Sequence, residues 1–514
     1  AGVWEQASVL QLYDPDRSRV PLRRERMGLT PATWAAWDAF AAKHFAALAQ
    51  EQGKGLAILA QAHTSPTRDR LRQLLRQRFP RAAWHTWDLL EQTNAKQGAQ
   101  AVFGPGTRVL PRLDQAKMIL TVHADPLGFG ADKLRASRGF AQGRRIRNAR
   151  GARAMNRLIA VEAVTTVTGA CADHRLPLPA CLGEAFVRLL AWELFVRHKL
   201  PWPGGAIPPA ILSAQREESA RVAQGRGDPS RRYHDAQDDK KGDQNALGTP
   251  LLPPSQNVQA NKAPQGPFVQ QLARELLEHK GRAIVLVGQQ QPSATHAMAQ
   301  VINVALGGLG KTFTVVRGNH GDDNSATTSP IQSLTRLTER LRAGTVNTLV
   351  VLDGNPVHTA PGGLGLPEAL GKVEHVIHAG LYADETAQHA HWHLPTTHPL
   401  ETWSDARGPD GTAAIGQPLI DPLHNARSCD QLLWQIADGT VTKTQDLVRQ
   451  TWLGLGKPLT TEKQWRKAVH DGTIPGTAFP PASGKTRDPA TSRDAIHRVS
   501  TKKTRVALHG EILP

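Results

Sequence analysis

The strongest constraint in this chain is an alternation. Short apolar runs of strand length are separated by segments whose apolar residues recur at helical spacing. Residues 55–60 (GLAILA), 84–87 (WHTW), 118–122 (MILTV) and 158–161 (LIAV) form a first group of such runs. Residues 283–287 (AIVLV), 313–316 (FTVV), 348–352 (TLVVL) and 373–378 (VEHVIH) form a second. A run that is apolar at consecutive positions has no solvent face, which marks strands of a parallel sheet covered by helices on both sides. Ser65-Pro66 offers a helix start, because proline lacks only an N–H that would be unpaired there anyway. Leu71, Leu74, Leu75 and Phe79 follow at helical spacing. Further helices are expected over 133–156, 293–306 and 331–342.

The resulting expectation is an α/β fold with two doubly wound parallel-sheet units, at 46–214 and 268–440. Residues 1–45 form an N-terminal region. Residues 215–267, rich in charge and proline, read as a linker or long surface excursion. Beyond about Gln417 the alternation weakens, and 441–514 reads as an extension that wraps partners. In sheets of this type ligands sit at the carboxyl ends of the strands, where strand order reverses. The turn Asp353-Gly354-Asn355-Pro356, after 348–352, is in that kind of place.

Composition narrows the chemistry. The three cysteines, Cys171, Cys181 and Cys429, include no CxxC pair. The chain therefore cannot by itself supply the four thiolates of a cubane cluster or of a cysteine-rich zinc site. Cys171 and Cys181 are left open between a disulfide and free thiols. Lys and Arg number 62 against 45 Asp and Glu, a formal charge of +17. That excess suits an acidic partner without choosing among nucleic acid, lipid and protein. No apolar stretch approaches the roughly 20 residues that span a bilayer.

Several local patterns reduce to ordinary structure. Gly307-Gly308-Leu-Gly310-Lys311-Thr312 has Ala305 where a phosphate-binding loop needs its first glycine, and it leads from helix to strand, the wrong order. A glycine turn ending a helix is the expected form. His389, His391 and His393 alternate, with His398, Glu385 and Glu401 nearby, and a metal site is the lesser reading against hydrogen-bonded structural histidines. Glu162 and Asp173-His174-Arg175 read as a polar network holding a loop, since no nucleophile motif accompanies them. The arginines at 135, 138, 144, 145, 147, 150, 153 and 157 fit a nucleic-acid patch, a solvated face, or a face meeting an acidic subunit.

Taken together, Gly354-Asn355-Pro356, His378-Ala379-Gly380, Asp384-Glu385-Thr386-Ala387, His391-Trp392-His393-Leu394-Pro395 and Glu401 resemble the third domain of molybdopterin oxidoreductases. Longer runs resemble one branch, the B subunit of alternative complex III. They are Leu12-Tyr13-Asp14-Pro15-Asp16-Arg17-Ser18, Trp34, Thr168-Gly169-Ala170, Ala172-Asp173-His174-Arg175-Leu176-Pro177 and Glu401-Thr402-Trp403-Ser404-Asp405-Ala406. The resemblance covers roughly 8–455 and implies a molybdopterin-oxidoreductase-like half without its iron–sulfur half, with 1–45 the remnant of a longer region. It implies a non-catalytic structural subunit of a quinol-oxidising electron-transfer complex, peripheral on the periplasmic face of the inner membrane. The implied partners are an iron–sulfur subunit, multihaem cytochrome c subunits and integral membrane quinol-binding subunits, which would carry the clusters and c-type haems. The membrane would be reached through those partners, and nucleic acid would not be one of them. No cofactor, metal or catalytic residue is expected in this chain. Gly354, Asn355, Pro356, Glu385 and Thr386 are expected as vestigial pterin-type positions. The alternatives are an active molybdopterin-dependent fragment binding at 354–356 and, on charge alone, a nucleic-acid-binding protein. No twin-arginine signal, the family's export route, is visible at Ala1, so Ala1 need not be a natural terminus.

Overall fold

A computed structural model describes residues 6–90, 92–145, 155–203, 266–318, 329–455 and 458–482. The chain forms an α/β fold with several sheets, divided between two compact units. The first unit takes residues up to Thr93 and then Val316–Ala482; the second is built from residues between Asn94 and Val315.

The first unit holds a seven-stranded sheet in the order Gly28–Pro31, Leu22–Glu25, Trp392–Pro395, His375–Gly380, Thr348–Leu352, Leu56–Ala60, Ala83–Thr86. The last five are parallel, and the N-terminal hairpin adds two antiparallel strands at one edge. Residues of the central strands alternate between two apolar clusters, as the period of a strand requires. Leu56, Ile58, Val350, Leu352 and Ile377 face the helices Trp34–Gln50, Pro66–Arg78 and Cys429–Asp438. Ala57, Leu59, Leu349, Val351 and Val376 face Pro330–Arg342 and Leu366–Leu370. Helices thus cover both faces. A small sheet of Ser404–Arg407, Ala413–Gly416 and Thr473–Ile474 packs with the helices Thr444–Gly454 and Glu462–Asp471 around Trp452 and Trp465.

The second unit holds four parallel strands in the order His174–Pro177, Arg157–Glu162, Met118–Val122, Ala283–Val287. Glu162 accepts from Thr166 Oγ1 (2.7 Å) and Arg175 Nε (2.7 Å). Asp173 accepts from Arg144 Nη1 (3.0 Å) and the Leu158 N–H (2.8 Å). These acids hold loops, as expected. The helix Ser293–Ala305 ends in a turn with Gly307 at φ +73°, the left-handed form that glycine adopts without strain.

Three expectations are corrected. The strand runs at 55–60 and 348–352, assigned to separate units at 46–214 and 268–440, pair directly with one another. Segment 46–214 therefore supplies strands to both sheets. The helix expected over 133–156 stops at Gly143, and Arg147, Arg150 and Arg153 lie outside the described residues. Among the described residues beyond Gln417 the chain forms three helices, two of them started by capping boxes (Ser428 with Gln431, Thr461 with Gln464). The 215–267 segment lies outside the described residues except its last two, which begin the helix Gly266–Glu278, and 483–514 lies outside them entirely. Cys171 and Cys181 are exposed and unpaired. Among the described residues no helix is long and apolar enough to cross a membrane.

The N-terminal segment is tied to the first unit by a buried ion pair. Arg17 donates from Nη2 to Glu401 Oε2 (2.7 Å) and from Nη1 to Oε1 (3.2 Å), with both side chains at 1% exposure or less. Glu401 also accepts from the Leu423 and His398 N–H groups (2.9 and 2.8 Å). Burial pulls its pKa up, but the Arg17 guanidinium and those N–H groups hold it below the ordinary value. Arg17→Met is expected to cost about 3–5 kcal/mol by leaving the carboxylate buried and unpaired. Arg17→Met combined with Glu401→Leu should recover most of that loss, and urea unfolding of the three proteins checks both.

Candidate functional site

Strand direction and order locate the site. From Leu56–Ala60 the chain crosses through the helix Pro66–Arg78 to Ala83–Thr86 on one side. From Thr348–Leu352 it crosses through Leu366–Leu370 to His375–Gly380 on the other. The two crossings use opposite faces of the sheet, as right-handed connections in opposite directions must. The loops after these adjacent strands therefore diverge and leave a crevice between them. A pocket of about 200 Å³ lies there, lined by Leu59, Gln61, Trp87, Asp88, Val351 and the 353–356 turn, with Ala60, Leu89, Leu90 and Thr359 completing it.

The turn itself is held from every side. Asp353 and Gly354 both have positive φ, +57° and +70°. Asp353 is a non-glycine in that region, where a side chain crowds the backbone, and its neighbours fix it. Its N–H donates to Ala379 O (3.0 Å). Its carboxylate accepts from the Cys429 thiol (3.1 Å) and from Arg68 Nη1 (3.3 Å). Arg68 also donates to Asp430 (2.9 Å). Burial, with Asp353 close by, pushes the Cys429 thiol well up, so it stays protonated and donates. Asn355 caps the short helix Pro356–Thr359, accepting from the His358 N–H (3.3 Å) and Thr386 Oγ1 (2.8 Å) while its amide donates to Glu385. Thr386 in turn accepts from the Val357 N–H (3.1 Å).

Beneath the turn runs a chain of buried groups. His393 Nε2 lies 2.7 Å from Ser18 Oγ, His393 Nδ1 lies 3.0 Å from His378 Nδ1, and His378 Nε2 lies 3.4 Å from Gly354 O. One tautomer assignment satisfies all three contacts. Ser18 donates to His393, whose Nδ1–H donates to His378, whose Nε2–H donates to the carbonyl. Burial, with His378 alongside, depresses the His393 pKa to about 3, and burial also lowers that of His378. Both rings are neutral at neutral pH.

The structure brings all five expected pterin-type positions together. Gly354, Asn355 and Pro356 line the pocket, while Glu385 and Thr386 hold Asn355 from behind. The histidines of the 389–398 segment diverge instead. His391 Nδ1 accepts from the Val376 N–H (3.0 Å), His393 joins the buried chain, and His398 Nδ1 accepts from the Leu400 N–H (3.1 Å). Among the described residues no group of three or more His, Cys, Asp or Glu is arranged to hold a metal ion. Sequence reasoning missed Asp88, Arg68, Cys429 and Asp430. Only Trp87-Asp88, directly after an expected strand, carried a local signal.

No protein-family model and no curated protein sequence matches the chain. Among solved structures it is similar to acetylene hydratase from Pelobacter acetylenicus, with a TM-score of 0.59 at 12% identity. The match covers 85% of this chain and 63% of that one, so the chain spans less than two thirds of the structure it matches. The likeness supports a molybdopterin-oxidoreductase-like fold and speaks to the fold alone.

Two outcomes are expected. Gly354→Ala forces a side chain into positive φ, and its Cβ would fall 2.7 Å from Gln61 Nε2, so it should cost about 1–2 kcal/mol in thermal or urea unfolding. His378 and His393 are harder to protonate folded than unfolded, so their contribution is complete above the unfolded pKa of about 6.5 and shrinks as pH falls below it. The urea midpoint should drop between pH 7 and pH 5, and His393→Gln should flatten that slope.

Proposed function

We propose that this chain is a non-catalytic structural subunit of a quinol-oxidising electron-transfer complex of the alternative complex III kind. In this reading it keeps the doubly wound form of its fold family and docks an iron–sulfur chain and multihaem cytochromes on the periplasmic face of the inner membrane. It reaches the membrane through integral quinol-binding subunits. Iron–sulfur clusters and c-type haems belong to those partners, and the positive surface charge suits acidic faces on them.

The observation that carries the reading is what the resembling residues do. They form the packing and hydrogen bonds of the fold. Asp14 accepts from Tyr382 (3.0 Å), Arg17 pairs with Glu401, and Ser18 meets His393. Trp34 donates to Asn425 O (2.9 Å). Asp405 accepts from Ser65 Oγ, Thr67 Oγ1 (2.7 Å) and Trp452 Nε1 (2.8 Å), fixing the start of the helix Pro66–Arg78. Asp125 accepts from the Thr168 N–H (2.9 Å) and hydroxyl (2.6 Å). In this reading such residues maintain a shape for partners to dock on.

The fold family implies a pterin cofactor carrying phosphates, and the pocket does not fit one. Its lining holds two carboxylates, Asp88 and Asp353, and no lysine, arginine or histidine. The cation nearest Asp353, Arg68, is already shared between Asp353 and Asp430. Gln61 occupies the space over Gly354 that a glycine leaves for close ligand approach. About 200 Å³ is also small beside the roughly 300–1,000 Å³ of ordinary organic-ligand pockets.

A tagged chain isolated from native membranes in mild detergent should co-elute with iron–sulfur and c-type-haem chains in fixed ratio, and the assembly should oxidise quinol. Elution free of haem and iron proteins would overturn the assignment.

A further inference from the structure

The pocket has no basic residue in its lining, and its polar groups are unequally engaged. Most of its polar atoms are spent on the protein. Thr359 Oγ1 accepts from Trp87 Nε1 (2.9 Å) and donates to Asn355 O (2.9 Å). Asn355 is committed to His358, Thr386 and Glu385, and Asp353 to Cys429 and Arg68. Asp88 differs. Among the described residues its carboxylate meets one donor, the Ala62 N–H at Oδ2 (3.2 Å), and its other oxygen remains available. It stands between Trp87, which also lines the pocket, and Leu89 with Leu90, which are 63% and 62% exposed. Leu59 and Val351 form the apolar floor from the ends of the two central strands.

We propose that this pocket binds a small organic cation, a primary ammonium or guanidinium on a short apolar stem. The head group sits against Asp88 and beside the Trp87 indole, where a carboxylate and an aromatic face both favour positive charge. The Gln61 side-chain carbonyl is a further acceptor at the same mouth. The stem lies along Leu59, Val351 and Leu89. Burial pulls the Asp88 pKa up, the response of a carboxylate that lacks a counter-charge and that a bound cation would reverse. The source of the cation, a free metabolite or a basic side chain of another protein, shares this chemistry. The inference rests on the lining alone and does not depend on membership of an electron-transfer complex.

The test is calorimetric titration of the full chain at pH 7.5 with n-butylammonium, n-butanol and n-butyl phosphate, which share a stem and differ in charge. The ammonium should bind tightest and the phosphate weakest. Asp88→Asn should weaken ammonium binding by about tenfold or more while leaving the alcohol unchanged. Leu90→Lys alters only an exposed lip residue, so it tests the same point without threatening the fold, and it too should weaken the ammonium selectively. A short peptide amide with an N-terminal-blocked lysine distinguishes the sources: binding tighter than butylammonium indicates a protein side chain, equal or weaker binding a free amine, and either agrees with the proposal. Phosphate binding as tight as the ammonium, no preference for the ammonium over the alcohol, or ammonium binding untouched by both substitutions would overturn it. Failure here would leave co-elution with iron–sulfur and haem chains unaffected.

Discussion

The pairing of Leu56–Ala60 with Thr348–Leu352 is the contact on which the rest of the first unit depends. Five residues of each strand lie in register, Ile58 opposite Val350 at the centre, and all ten are buried. The two segments are far apart in sequence, so closing this contact costs loop entropy that only extensive burial repays. Once it forms, the crossings to either side diverge, and the crevice between their loops follows from topology. The pocket is therefore a consequence of the core. Its chemistry is set separately, by the few residues that the loops place there.

Those residues separate what shapes the turn from what the pocket presents. The turn at 353–356 keeps its shape through contacts behind the pocket, with Cys429, Arg68, Thr386, Glu385 and the His378–His393 pair. None of these contacts needs a bound group to satisfy it. A turn held from behind keeps its shape whether or not a ligand faces it. The side exposed to the pocket is then free to change, and here it presents Asp88 and Gln61 where a phosphate would want cations or bare amides.

Much of this was legible in the sequence, for physical reasons. Runs such as AIVLV at 283–287 and TLVVL at 348–352 are almost wholly apolar because both faces of their strands are largely buried, and their limits match the observed strands. Ser65-Pro66 marks a helix start because capping needs little beyond the local chain. The turn at 353–356 was identified as a ligand-type position because it follows a buried strand. The order of strands was not legible, since a continuous apolar run says that a strand is central and not which strand lies beside it. The linear division at 46–214 and 268–440 fails for that reason. The helices after Gln417 were missed although Ser428 and Thr461 each precede a glutamine by three residues, a capping signal that outweighs weak periodicity. Asp88 follows an expected strand, but its place in the pocket depends on the turn at 353–356 lying beside it, which no local pattern announces.

The central claim is that this chain keeps a molybdopterin-oxidoreductase-like fold and gives its switch-point pocket to something other than a pterin. The most direct measurement is molybdenum, tungsten and pterin content per chain, on protein isolated from its native source under conditions that preserve bound cofactors. The account predicts none of the three above trace. Stoichiometric pterin with molybdenum or tungsten on the isolated chain would contradict it and would make the 353–356 turn the wall of a working active site.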